Sequence, residues 1–249
     1  MRILAVIPAR YASTRFPGKP LAVIDEKPMI QRVYEQCLKA GSVDEVAVAT
    51  DDERIEKAVT GFDGNVVMTA ATHKSGTERC NEVMNKYLTE GKTFDVVINI
   101  QGDEPYIEPS QIDLVASCFE DDSVEIGTLI KKIDNAGELF DPNVVKVVTG
   151  NDRTAIYFSR QAIPFLRGIE KQDWLKQHDF FKHLGIYAYR ADVLKTIAGL
   201  NSTPLEKAES LEQLRWLENS YKIKTLETTF ESISVDTPED LLKINKGKR

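Results

Sequence analysis

The stretch MRILAVIPARYASTRFPGKP, Met1 to Pro20, decides how the rest of the chain is read. Its apolar run Ile3-Leu4-Ala5-Val6-Ile7 stops at Pro8. A loop follows that bears Arg10, Arg15 and Lys19 and is punctuated by Pro17, Gly18 and Pro20. A short apolar run bounded by Pro and Gly reads as a buried strand. Ligands of open α/β sheets sit outside the carboxyl ends of such strands, and cations on a loop at that place suit a polyphosphate. Taken alone, the same residues suit a solvated surface loop equally well. No acid precedes Asp25, and four cations, Arg2 included, gather here in a chain of formal net charge −7.

Working outward, Pro28 opens a helix whose inner stripe is Met29, Ile30, Val33, Cys37 and Leu38, with Gly41 as its stop. Glu45 to Thr50 is a second strand, and Asp51 and Asp52 cap a helix over Glu53 to Thr60. Val66 to Met68 is a third strand. The polar loop Thr72 to Thr77 leads into a helix over Thr77 to Leu88. Asp95 to Ile100 is apolar enough to lie centrally in a parallel sheet. This rhythm means βαβ units. It predicts an α/β fold: a core over residues 1–125, with a mostly parallel sheet flanked by helices.

The fourth strand ends in Gln101-Gly102-Asp103-Glu104-Pro105. An acidic pair on a Gly-Pro turn at a strand's carboxyl end is a place for a divalent cation; the same Asp could instead cap backbone N–H groups of the turn. The phosphates suggested by the first loop favour the cation. Pro109 then opens a helix over Ser110 to Glu120.

After residue 125 the rhythm changes. Glu125 to Ile133, Val144 to Thr149, Ala155 to Ser159 and Leu184 to Tyr189 read as strands with short helices between them. They predict a mixed extension of the sheet and a smaller second lobe over about 126–230. Gly168 to Asp179 reads as an exposed, mobile excursion. Lone histidines are more often structural than catalytic; of His178 and His183, the latter heads a strand and is the better site candidate. A helix over Leu211 to Asn219 turns Leu211, Leu214, Trp216 and Leu217 inward and leaves Glu212, Gln213 and Arg215 for polar work. A strand follows over Ile223 to Thr228. Asp236 ends a short strand begun at Ile233, Thr237 starts the last helix, and residues 231–249 return to the core.

Composition sets limits. With 249 residues, 42% apolar and 29% charged, the chain has the make-up of a globular protein able to bury a sizeable core. Its acidic balance argues against non-specific nucleic-acid binding. No eighteen-residue apolar run is present for a membrane span, and Pro8 and Arg10 break any signal-peptide pattern, so a cytoplasmic location is expected. Cys37, Cys80 and Cys118 each fall on the apolar stripe of an expected helix and read as buried thiols rather than a zinc site.

Taken together, these pieces resemble the 3-deoxy-manno-octulosonate (Kdo) cytidylyltransferases. The matching segments are IPARYASTRFPGKPL (Ile7 to Leu21), ATDD (Ala49 to Asp52), HKSGTERC (His73 to Cys80), NIQGDEP (Asn99 to Pro105), YFSRQAIPF (Tyr157 to Phe165), KHLGIYAYR (Lys182 to Arg190), ESLEQLRWLE (Glu209 to Glu218) and SVDTPEDL (Ser234 to Leu241). They follow the family's order across nearly the whole chain. The first is shared by many sugar nucleotidyltransferases; the set is specific. Lys74 is a departure, standing where relatives often carry Gln.

The resemblance implies a nucleotide-diphospho-sugar transferase-like core with a lobe for sugar binding and dimerisation. It also implies the reaction of CTP with Kdo to give CMP-Kdo and pyrophosphate, dependent on Mg²⁺, which activates Kdo for lipopolysaccharide synthesis. By the same resemblance Arg10, Arg15 and Lys19 hold the triphosphate, while Ala9, Ser75 and Gly76 read the nucleoside. Asp103 and Asp236 hold Mg²⁺. Arg79, Gln101, Arg160, His183, Tyr187, Glu212 and Gln213 line the sugar-acid pocket. Arg10, Lys19, Asp103 and Asp236 are the expected catalytic set, in a homodimer. The rival readings are a cytidylyltransferase for another sugar acid, 8-amino-Kdo or sialic acid, and, further off, a non-catalytic sugar-nucleotide binding protein, which would not need both aspartates.

Overall fold

A computed structural model of the chain describes residues 1–12, 16–231 and 234–241. In chain order the first half runs β1 (Ile3–Ala9), β2 (Val23–Ile24), β3 (Lys27–Pro28), α1 (Met29–Cys37), β4 (Glu45–Thr50), α2 (Glu53–Thr60), β5 (Val66–Met68), α3 (Gly76–Thr89), β6 (Val96–Asn99) and α4 (Pro109–Ser117). The second half runs β7 (Ile126–Lys132), α5 (Ala136–Phe140), β8 (Lys146–Thr149), β9 (Ala155–Ser159), α6 (Trp174–Gln177), β10 (Phe181–Arg190), α7 (Ala191–Ile197), α8 (Pro204–Glu209), α9 (Gln213–Glu218) and β11 (Ile223–Glu227).

β1 is buried along nearly its whole length and pairs in parallel with β4 on one side and β6 on the other. Its alternate side chains serve opposite layers, as the two-residue period of a strand requires. Ile3, Ala5 and Ile7 pack with Ile30, Val33 and Cys37 of α1 and Ile112 and Val115 of α4. Leu4 and Val6 pack on the other face with Cys80, Val83 and Met84 of α3 and Leu194 and Ile197 of α7. The result is helices on both faces of a twisted sheet. Among the described residues the main sheet has nine strands, in the path β11-β7-β10-β6-β1-β4-β5, with β8 paired to β10 and β9 to β8. Within this sheet the first-half pairings are parallel and β10 enters antiparallel between β6 and β7; β2 and β3 form a separate antiparallel pair. The second half is thus a mixed extension of one sheet, as expected.

Several expectations change. Asp52 caps α2, accepting from the Arg54 N–H at 3.0 Å, whereas Asp51 turns to Arg79. The segment Gly168 to Asp179 is not simply an exposed excursion: Trp174 is 2% exposed and packs with Ile133, Leu139 and Phe180, stacked on Phe180 at a ring separation of 5.8 Å. Burial of that indole offsets the ordering of the polar residues around it. β10 begins three residues earlier than expected because the Lys182 charge is buried there with partners, its Nζ 2.8 Å from Glu138 and 2.5 Å from Glu231. The helix expected from Leu211 begins instead at Gln213, behind the separate helix α8. Cys37, Cys80 and Cys118 are buried as expected. Ile233, where the short strand ending at Asp236 was expected to begin, and residues 242–249, the end of the expected return to the core, lie outside the described residues.

Candidate active site

The carboxyl ends of β1 and β6 open on a cavity of about 870 Å³. Backbone packing sets its floor. A Cβ added at Gly102 would lie 2.9 Å from the Pro8 carbonyl oxygen, so the turn after β6 touches the end of β1 main chain to main chain. Gly18 adopts φ 71°, and a Cβ there would lie 3.0 Å from the Tyr11 ring; its N–H donates to the Tyr11 carbonyl at 2.9 Å. That turn aims the following Lys19 across the cavity.

Lys19 Nζ donates to Asp103 Oδ2 at 2.6 Å and to Asp236 Oδ1 at 3.3 Å. The three groups come from the first loop, the turn after β6 and the returning C-terminal segment. Val235 secures that return: it is fully buried with Ile24 and Met29, and its N–H donates to the Asp103 carbonyl at 2.9 Å. Two carboxylates converging on one cation form a hard-oxygen donor set. Among the described residues no group of three or more His, Cys, Asp or Glu could hold a metal. The Asp103–Asp236 pair matches the donor set of a divalent cation such as Mg²⁺, which takes one or two carboxylates and completes its shell with phosphate oxygens and water. Arg10 also lines the cavity, is exposed, and donates to the His73 carbonyl at 3.4 Å. Arg15 lies outside the described residues.

Ala9, Ser75 and Gly76 line the same end. Ser75 is the N-cap of α3, its Oγ accepting from the Glu78 N–H at 3.3 Å. The loop before it is braced by Glu82, whose carboxylate accepts from the Ala70 N–H at 2.9 Å and meets His73 Nε2 at 2.5 Å. Burial works against that carboxylate's charge, but the bonds from Ala70, Lys86 and His73 prevail and hold its pKa down at about 2. Arg79 is 1% exposed, donates to Thr69 Oγ1 at 2.6 Å and stands 3.2 Å from Asp51. It lines the cavity as a fixed charge anchored from behind.

The opposite wall carries Gln101, Tyr187, Glu212 and Gln213, all expected there. Gln101 Nε2 donates to the Gly185 carbonyl at 3.0 Å, where β10 bulges between Leu184 and Tyr187. Tyr187 meets Trp216 edge to face at 5.0 Å. The Tyr187 hydroxyl and Trp216 Nε1 are buried without a hydrogen-bond partner among the described residues. Burial raises the Glu212 pKa, opposed by hydrogen bonds from Ser75 and Thr77.

Two expected residues stand elsewhere. The Arg160 guanidinium is turned onto backbone carbonyls, at 2.7 Å from Glu209, 3.1 Å from Pro142 and 3.4 Å from Ser210, and does not line the cavity. His183 also lies behind the wall, its Nε2 3.1 Å from Thr128 Oγ1 and its ring edge-on to Phe158; burial lowers its pKa to about 3. The cavity also includes residues not anticipated for it: Asn99, Tyr189, Lys207 and the pair Arg215–Glu206, joined at 2.5 Å. Asn99 and Tyr189 were within reach of sequence reasoning, because they stand on the matched strands beside Gln101 and Tyr187.

A family model for cytidylyltransferases matches residues 4–224. The 3-deoxy-manno-octulosonate cytidylyltransferase of Phocaeicola vulgatus is 56% identical over 246 residues, covering 98% of this chain and 96% of that protein. The enzyme of the same name from Geobacter metallireducens is 51% identical over 252 residues, covering 98% of this chain and 96% of its own. A solved structure of CMP:2-keto-3-deoxy-manno-octonic acid synthetase complexed with CTP superposes with a TM-score of 0.91 at 43% identity, over 100% of this chain and 98% of that one.

Proposed function

The chain belongs to the cytidylyltransferase family, and from that premise we propose that it transfers the cytidylyl group of CTP to 3-deoxy-D-manno-octulosonate, giving CMP-Kdo and pyrophosphate and so activating Kdo for lipopolysaccharide biosynthesis. The observation that carries this reading is the two-ended cavity: Arg10, Lys19 and the Asp103–Asp236 pair at one end, and the Gln101, Tyr187, Glu212 and Gln213 wall at the other. The full-length relatives of that name support it.

Such a transfer needs little covalent work from the protein, because positioning and charge stabilisation supply most of the rate. The anomeric hydroxyl of Kdo attacks the α-phosphorus in line and pyrophosphate leaves from the far side. Arg10, Arg15 and Lys19 take up the triphosphate charge and the charge that grows on the leaving group. The main chain at Ala9 and the Ser75–Gly76 turn hold the nucleoside. Asp103 and Asp236 hold Mg²⁺, which when bound offsets negative charge at the α-phosphate. Gln101, Tyr187, Glu212 and Gln213 orient the sugar hydroxyls, and Arg79, held by Thr69 and Asp51, presents a fixed cation to the same cavity.

Residues of about 126–230 form the sugar-binding and dimerisation portion. The dimer face proposed is the apolar patch where exposed Phe140 and Phe165 flank Trp174, with ring separations of 5.7 and 5.4 Å. No helix of the described residues is long and apolar enough to cross a membrane. The test is product identification: incubation with CTP, Kdo and Mg²⁺ should give a species with the mass of CMP-Kdo and a single phosphodiester phosphorus signal. Hydrolysis of CTP to CMP without a sugar adduct would refute the reading.

A further inference from the structure

The cavity wall that carries Ser210, Leu211, Glu212 and Gln213 hangs from a residue that does not itself line it. Glu209 is the last residue of α8. Its Oε1 accepts from Ser159 Oγ at 2.6 Å, its Oε2 from the Arg160 N–H at 2.9 Å, and its carbonyl from Arg160 Nε at 2.7 Å. Arg160 reaches on to the Ser210 carbonyl at 3.4 Å. Lys146 closes the knot from within. It is fully buried, and its ammonium donates to the Arg160 carbonyl at 2.6 Å, to that of Asp141 at 2.8 Å and to that of Val144. The end of β9 is thereby fastened to the end of α8, 49 positions later in the chain.

Immediately past the knot, Ser210 adopts φ 53° and ψ 50°, left-handed backbone that non-glycine residues seldom take. That reversal turns the chain so that Glu212 reaches Thr77 Oγ1, at 3.1 Å, beside the nucleotide end of the cavity. A left-handed serine persists where its surroundings hold it, and here the holding groups are Glu209 and Arg160. The bonds that fix the first loop and the Ser75 turn share no member with this knot.

We propose that Glu209 is a positioning residue for the sugar-acid pocket, holding the Ser210–Gln213 wall against β9 so that Glu212 and Gln213 meet the sugar acid. This rests on the reading that the wall binds Kdo. Loss of the carboxylate leaves Ser159 Oγ and the Arg160 N–H without their acceptor and frees the wall to swing, loosening Glu212 from Thr77, while the Lys19 bonds to Asp103 and Asp236, which hold the triphosphate end, are untouched.

The test is steady-state pyrophosphate release by the full chain carrying Glu209→Ala, Glu209→Gln or Ser159→Ala, with Kdo and CTP varied in turn. Glu209→Ala should raise KM for Kdo by about tenfold or more, the size expected when a charged hydrogen-bonding anchor is lost, and leave KM for CTP within about twofold. Glu209→Gln keeps one acceptor oxygen and should recover part of the loss. Ser159→Ala removes a single bond and should give a smaller shift in the same direction. If Glu209→Ala does not fold, Ser159→Ala decides by the same criterion. An unchanged KM for Kdo, or equal rises for both substrates, overturns the assignment. If the unaltered protein turns over no Kdo at all, the reading beneath it falls as well, an outcome distinct from a normal parent enzyme with indifferent variants.

Discussion

The ammonium of Lys19 lies 2.6 Å from a carboxylate oxygen of Asp103, 84 positions away in the chain. It therefore sits between the first loop and the turn after β6, with Asp236 3.3 Å away on its other side. One side chain ties the loop proposed to hold the triphosphate to both proposed metal ligands. Lys19→Ala should remove a transition-state interaction of roughly 3 kcal/mol, about a hundredfold in kcat/KM for CTP. An unchanged kcat/KM would take Lys19 out of the chemistry.

Asp103→Asn and Asp236→Asn each keep the side-chain shape and one carbonyl ligand but lose the charge. Each should fold normally and lose activity by about two orders of magnitude or more, as a typical electrostatic catalytic term of roughly 3 kcal/mol implies. The double variant should be little worse than either single one, because both serve one ion. Kinetics across a Mg²⁺ titration check this. Near-normal kcat in either single variant at saturating CTP would make that aspartate a turn cap.

His183 gives a pH dependence with a definite sign. Its folded pKa is depressed to about 3 by burial, against an ordinary value of about 6.5. The unfolded chain therefore takes up a proton that the folded chain refuses. The stability His183 contributes is fully present above about pH 6.5 and is progressively lost as the pH falls towards about 3. The difference in denaturation midpoint between pH 7.5 and pH 5 should shrink in His183→Gln. Equal pH sensitivity in the two proteins would count against a buried neutral imidazole.

Cys37, Cys80 and Cys118 are all buried, and burial raises each thiol, that of Cys118 to about 12. The native protein should resist iodoacetamide at pH 8, and all three cysteines should react once it is unfolded in urea. Rapid labelling of the native chain would contradict this packing.

Much of this site was legible in the sequence, for local reasons. The apolar runs of β1 and β6 stop at Pro8 and before Gly102, and although β1 pairs on through Pro8 to Ala9, the runs were enough to place Lys19 and Asp103 at one sheet edge from sequence. What stayed hidden depends on partners distant in sequence. Arg160 closes a matched strand and was expected at the sugar-acid pocket, yet its direction is set by Glu209. Lys146 and Lys182 look like solvent-facing strand residues, but both ammonium groups are buried among oxygen acceptors. Trp174 lay within a polar stretch whose composition outweighed the single indole that anchors it. In each case local pattern lost to a tertiary contact.

The most direct measurement of the central claim is pyrophosphate release from CTP with Mg²⁺ across a panel of sugar acids: Kdo, 8-amino-Kdo and sialic acid, with a blank lacking sugar. Rapid release is expected with Kdo, at most background with sialic acid, and none without an acceptor. Release that favours sialic acid or 8-amino-Kdo over Kdo, or no release with any of the three, would contradict it.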